Sequence, residues 1–220
     1  ILLPKPFGNN FKFNLSFIKE FQILNKNNMK NTILLGLLLS TVSFSVLAET
    51  PSFNFIDIGY TSNLDGDFDE DDFDGYEIAG NFEISDSFYV SAEYESITID
   101  GNIFGPEIGV DSLSLGLGYK ANISDTMAFF TQLDYLNMDV DFDSFNVGSE
   151  NGYQLGLGIR SNVSENIELK AVVNYVDVVD SDTFYEFGAV FNVAEAVAIY
   201  FDIETDFDDS DYALGLRLSF

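Results

Sequence analysis

The chain has 220 residues, 37 Asp plus Glu against 9 Lys plus Arg, and no His, Cys or Trp. A formal charge of −28 argues against nucleic acid as a partner, because phosphate binding needs clustered Lys and Arg. Without Cys there is no disulfide scaffold or thiolate metal site, and without His the commonest proton-transfer group and transition-metal ligand are gone.

Residues 1–28 carry no periodicity and no start Met, and read as an upstream, mis-assigned or disordered segment. The first Met is Met29, followed by Lys30, an apolar run from Ile33 to Leu47, and Val46-Leu47-Ala48. A basic start, a short apolar stretch and a small-residue cleavage site describe a secretory signal peptide over 29–48. The run is too short for a spanning helix, which needs about 20 residues. The mature chain is then expected to be 49–220, with four basic residues (Lys120, Arg160, Lys170, Arg217) and 36 acidic ones, since Glu20 is the only acid before Glu49.

After Ala48 the hydrophobic period is 2, the signal of half-buried strands. Leu113, Leu115, Leu117 and Tyr119 alternate with Ser112, Ser114, Gly116 and Gly118, and Tyr153 to Ile159, Ile167 to Tyr175 and Tyr212 to Phe220 repeat the pattern. A spacing fixes the register: Gly118, Gly158 and Gly188 each precede Ile123-Ser124-Asp125, Val163-Ser164-Glu165 and Val193-Ala194-Glu195 by five residues. Ala79 stands likewise to Ile84-Ser85-Asp86, and Gly215 to Phe220. Five hairpins follow. The strands are expected near 52–61, 75–84, 88–97, 110–121, 126–136, 151–161, 166–176, 183–193, 197–205 and 211–220, with eight strands the alternative if 183–205 is irregular. Short turns near Ser85, Ser124, Ser164 and Ala194 lie on one side, and longer links at 62–74, 98–109 and 137–150 on the other. Ten strands of about 10 residues, with that asymmetry, describe an all-β, antiparallel up-and-down transmembrane barrel.

An alternating strand also suits a soluble, lipocalin-like ligand-binding barrel with its apolar face inside. Two patterns favour lipid. All four bases share the polar face, whereas a lipid-facing base costs about 2–4 kcal/mol at the midplane. Tyr60, Tyr76, Tyr94, Tyr135, Tyr153, Tyr175, Tyr185 and Tyr212 share the apolar parity near one end of their strands, as an interfacial aromatic girdle requires.

The terminal stretch Tyr212-Ala213-Leu214-Gly215-Leu216-Arg217-Leu218-Ser219-Phe220 resembles the C-terminal signature of bacterial outer-membrane barrels. The mature chain is similar in size to the small OmpA- and OmpX-like members of the porin superfamily. That resemblance implies a Gram-negative outer membrane, contact with its lipid and lipopolysaccharide, and recognition of Phe220 by the barrel-assembly machinery. Those relatives have eight strands, and the count of ten departs from them.

Three candidate sites follow. Asp65, Asp67, Asp69 and Asp71 alternate in an acidic loop able to offer oxygen ligands to a divalent cation, though Glu70 stands where an EF-hand loop needs Gly; a solvated acidic rim is the plainer reading. Inside the barrel, Glu77, Glu93, Glu168 and Glu186 are expected to share a charge network with Lys120, Arg160, Lys170 and Arg217. The girdle and Phe220 complete the set. No cofactor and no catalytic constellation is read. The leading expectation is a non-enzymatic outer-membrane protein with an envelope-structural or surface role; the alternative is a narrow cation-preferring pore. Oligomeric state is not legible.

Overall fold

The computed structural model describes residues 49–63, 73–99, 108–142, 145–207 and 209–220. Within them the chain forms ten strands: β1 (Phe55–Asn63), β2 (Phe73–Glu83), β3 (Phe88–Ile99), β4 (Ile108–Ser124), β5 (Met127–Phe142), β6 (Phe145–Ser164), β7 (Ile167–Asp177), β8 (Ser181–Ala194), β9 (Val197–Thr205) and β10 (Ser210–Ser219). Each pairs antiparallel with its sequence neighbours, and β1 pairs with β10 to close the barrel. The even, ten-stranded up-and-down reading holds, and the stretch 183–205 is regular enough to rule out eight.

Local chemistry sets the tight turns. Ser85, Ser124 and Ser164 each accept a backbone N–H two residues on, from Ser87, Thr126 and Asn166, at 3.4, 3.3 and 3.3 Å. This is the hydroxyl's usual way of stabilising a turn. Just before the turns at 125–126, 165–166 and 195–196 the pairing register shifts, after Asn122, Asn162 and Asn192 respectively. The five-residue spacing in the sequence therefore records a repeated strand, bulge and turn. These tight turns, the start of β1 and the end of β10 lie at one rim, called here the turn end; the opposite rim is the loop end.

One expectation needs correcting. The span 137–150, expected as a long link, is almost wholly strand, because β5 runs on to Phe142 and β6 starts at Phe145. Asp139 pairs with Ser149 and Asn137 with Asn151. Polar and acidic residues there break the apolar alternation, so the hairpin continues where its faces no longer divide into apolar and polar. The signal-peptide and upstream readings, and the Asp65, Asp67, Asp69 and Asp71 loop, lie outside the described residues.

The apolar faces point outward. Ile58, Ile78, Leu115, Leu117, Leu133, Leu157, Leu214 and Leu216 are all exposed on the outer wall. A lipocalin-like barrel would bury these residues, so the soluble alternative is overturned by the direction of the side chains. The interior instead carries small and polar groups, and its glycines make room for large rings. A Cβ on Gly118 would run into the Tyr89 ring, and Tyr89 is fully buried. Replacing Gly118 by Val is expected to destabilise the barrel by about 1–3 kcal/mol through overpacking. The urea midpoint of the folded band on unboiled gels measures it; an unchanged midpoint would mean that Tyr89 is not wedged there.

Candidate functional site in the barrel lumen

The inward residues fall into two layers. The layer near the turn end is crowded. Phe53, just before β1, is 1% exposed and sits inside the barrel, its ring 4.8 Å from that of Tyr89 on β3 and 5.6 Å from that of Phe130 on β5. Arg160 of β6 lies 4.4 Å from the Phe53 centroid, and Arg217 of β10 lies 3.8 Å from that of Phe55. Guanidinium groups are attracted to aromatic faces at such separations. A second cluster joins Tyr200, Val190, Ala198 and Ala213.

All four bases reach inward carboxylates. Arg160 donates from Nε and Nη2 to Glu168 at 2.7 and 3.0 Å. Arg217 holds Asp57 in the same forked way, at 2.8 and 2.7 Å, and its Nη1 lies 3.6 Å from Glu168, linking the two pairs. Lys120 meets Glu83 at 2.6 Å. Lys170 sits against Glu186 and lies 3.0 Å from Asp202. The forked Arg–carboxylate geometry is the strong form of ion pair, and buried charges of this kind must be compensated.

Of the network expected from sequence, Lys120, Arg160, Lys170, Arg217, Glu168 and Glu186 are in ion pairs. Glu77 instead accepts a hydrogen bond from the Tyr200 hydroxyl. Glu93 makes no ion pair among the described residues. The sequence reading missed Asp57 and Glu83, which make two of the five forked and Lys-bound pairs. Parity could have found both: Asp57 alternates with the outward Ile56 and Ile58, and Glu83 with Phe82 and Ile84. Phe53 falls within the strand expected at 52–61, but the ladder begins only at Phe55, so the strand pattern did not mark it as a ring filling the lumen.

From mid-barrel to the loop end, the interior is acidic. Glu93 and Glu204 face inward yet are exposed, so solvent reaches them within the barrel. Across the strands, Glu77 stands opposite Glu95, Glu186 opposite Glu204, and Glu204 opposite Asp211. Like charges directly opposite one another destabilise a sheet, and water with counterions relieves that repulsion. Asp134, by contrast, is fully buried and accepts hydrogen bonds from Ser91 and Gln132, both at 2.9 Å.

The tyrosines lie toward the loop end with outward parity. Tyr60 is opposite Tyr76 and Tyr135 opposite Tyr153. The Tyr76 and Tyr94 rings are 6.1 Å apart, and those of Tyr153 and Tyr175 6.2 Å. Tyr185 packs on Phe207 at 4.6 Å and Tyr212 on Phe201 at 6.4 Å. Tyr94 donates to Asp111 at 3.0 Å and Tyr153 to Asp177 at 3.2 Å. At the turn end, Phe220 is exposed and stacks on Phe82 at 6.4 Å.

With a closed barrel, an apolar outer wall and a polar interior on the page, family membership follows from one match. The model of the outer membrane protein beta-barrel domain matches residues 33–220. The chain belongs to this family. Membership puts it in the outer membrane of a Gram-negative bacterium, so the turn end faces the periplasm and the loop end the exterior.

Among solved structures, the KdgM porin aligns over 74% of this chain and 99% of its own, at 12% identity and a TM-score of 0.46. The NanC porin aligns over 76% and 100%, at 7% identity and a TM-score of 0.48. The outer membrane protein OprG from Pseudomonas aeruginosa aligns over 80% and 99%, at 14% identity and a TM-score of 0.42. No curated protein sequence matches the chain.

The Asp57–Arg217 pair joins the first and last strands, and Asp57 is opposite Arg217 in register. Replacing Arg217 by Met leaves Asp57 buried without a partner and is expected to cost about 3–5 kcal/mol, whereas adding Asp57→Leu recovers most of that loss. The urea midpoints of the single and double variants test it. Equal midpoints for the single variant and the native chain would remove the pair from the stability account.

Proposed function

We propose that the protein is a non-enzymatic outer-membrane barrel, closed across its periplasmic half, that serves the envelope as a structural and surface element. The observation that carries this reading is the packed layer of Phe53, Tyr89, Phe130, Arg160, Glu168, Asp57 and Arg217, all buried inside the barrel. Narrow barrels are filled by their side chains, and wide aqueous pores appear near sixteen strands. Export follows from the signal peptide at 29–48, cleaved after Ala48, and assembly from recognition of the terminal Phe220.

The tyrosine girdle is the membrane interface on the outer side. Tyrosine suits that level because its ring is apolar and its hydroxyl polar. Just beyond it, Asp111 stands opposite Asp139, so the outward surface there is acidic. Lipopolysaccharide is the lipid such a surface meets, and two negative faces associate only through cations between them.

A narrow cation-preferring pore is the second reading, favoured by the exposure of Glu93 and Glu204 inside the lumen. Rings of acidic side chains select cations. Planar-bilayer recordings of the native protein separate the two. The expected result is silence from a preparation that shifts on boiling in gel electrophoresis and fractionates with the outer membrane. Reproducible, cation-selective steps would replace the closed reading with the pore.

A further inference from the structure

The segment before β1 occupies the lumen without belonging to the wall. Phe53 has no place in a strand ladder, which on this side begins at Phe55 paired with Ser219 and Asn81. Its backbone N–H donates to the Glu83 carboxylate at 2.7 Å, and the Glu83 N–H donates to the Asn54 side chain at 2.8 Å. Further out, the Asn162 amide donates to the Glu49 carbonyl at 2.6 Å. One backbone bond, from the Phe220 N–H to the Asn54 carbonyl at 3.2 Å, ties the end of this stretch to the wall; before Asn54 it is held by side-chain contacts and aromatic packing, where the rest of the barrel is held by ladder pairs.

Solvent approaches the segment from both directions. On the periplasmic side a polar cavity of about 520 Å³ is lined by Glu49, Ser52, Arg160, Asn162, Glu168 and Arg217. On the outer side lies the acidic interior onto which Glu93 opens. Between them stands the layer in which Phe53 packs on Tyr89, Phe130 and Arg160.

That layer is also incompletely satisfied. The Tyr89 hydroxyl and Nη1 of Arg160 are buried and lack a hydrogen-bond partner, and both residues touch the Phe53 ring. A buried polar atom left unpaired is a penalty on the packed state. Withdrawal of the ring admits water to both groups, so the packed and withdrawn states are closer in free energy than the burial of Phe53 alone implies.

We infer that residues Glu49–Asn54 form a releasable plug, and that with the plug withdrawn the barrel passes small monovalent cations. The selectivity comes from charge placement. The four bases are engaged with Asp57, Glu83, Glu168, Glu186 and Asp202, whereas no Lys or Arg among the described residues forms an ion pair with Glu93, Glu95 or Glu204. The outer half of the path therefore carries carboxyl groups and no basic partner for them, which favours cations over anions. This inference rests on the closed-barrel reading.

The test compares three purified, refolded proteins in planar bilayers under a KCl gradient: the native chain, Phe53→Ala and Asn162→Ala. Phe53→Ala removes the ring; Asn162→Ala removes the tether to Glu49 and leaves the aromatic layer intact, so it decides the question alone if Phe53→Ala fails to shift on boiling. A silent native chain with variants that open in steps, reversing on the cation side, supports the plug. Silence from every variant that retains the boiling shift overturns the plug and leaves the closed barrel standing. Steps of equal size and frequency in native and variants overturn the closed reading itself, and openings that reverse on the anion side overturn the assigned path.

Discussion

Everything in this barrel follows from the closure of β1 on β10. No water competes for backbone hydrogen bonds inside a bilayer, so a sheet can cross only if it has no edge. The seam runs in unbroken register from Phe55 opposite Ser219 to Asn63 opposite Asp211. Closure then fixes two surfaces at once, because side chains alternate along every strand. Lipid requires the outer one to be apolar. The inner one must hold whatever the alternation puts there, in a space that ten strands keep narrow.

That narrow interior explains why the bases are paired as they are. Arg160 and Arg217 each use a forked contact to one carboxylate and an aromatic face from the segment or strand beside it. A buried guanidinium without both would be costly. The forks also tie distant parts of the chain together. Asp57 to Arg217 crosses the seam, and the contact of Arg217 with Glu168 carries the same network to β7. Stability and closure of the lumen thus depend on the same few side chains.

The wall was far more legible in the sequence than the contents. Period-2 alternation gave the strands because lipid imposes a one-residue code on the outer face: Leu113, Leu115 and Leu117 have no other way to be satisfied. The Ser at 85, 124 and 164 marked the turns because each hydroxyl bonds locally, within two residues. The outer parts of β5 and β6, up to Phe142 and from Phe145, read as a loop in the sequence for the complementary reason. Beyond the lipid neither face must be apolar, and Asp139, Asp141 and Ser149 are as compatible with strand as with loop. Partners inside the lumen were legible only by class. Alternation shows that Arg217 faces inward, but its pairing with Asp57 depends on which strand closes on which, a contact 160 residues apart in the chain.

Phe53 shows where a pattern-based reading stops. Its surroundings are set by β3, β5 and β6, and nothing within its own stretch of sequence records them. Yet its presence settles the electrical character of the interior. The bases gather near the periplasmic end, where aromatic rings and carboxylates enclose them. The surplus acids gather toward the exterior, where water reaches Glu93 and Glu204. Mutual repulsion among those acids is eased where their side chains open to the lumen, and the forked ion pairs are strong because both partners are buried. Each half needs the boundary between them, and the boundary is a layer of aromatic rings to which a segment outside the strand ladder contributes the central one.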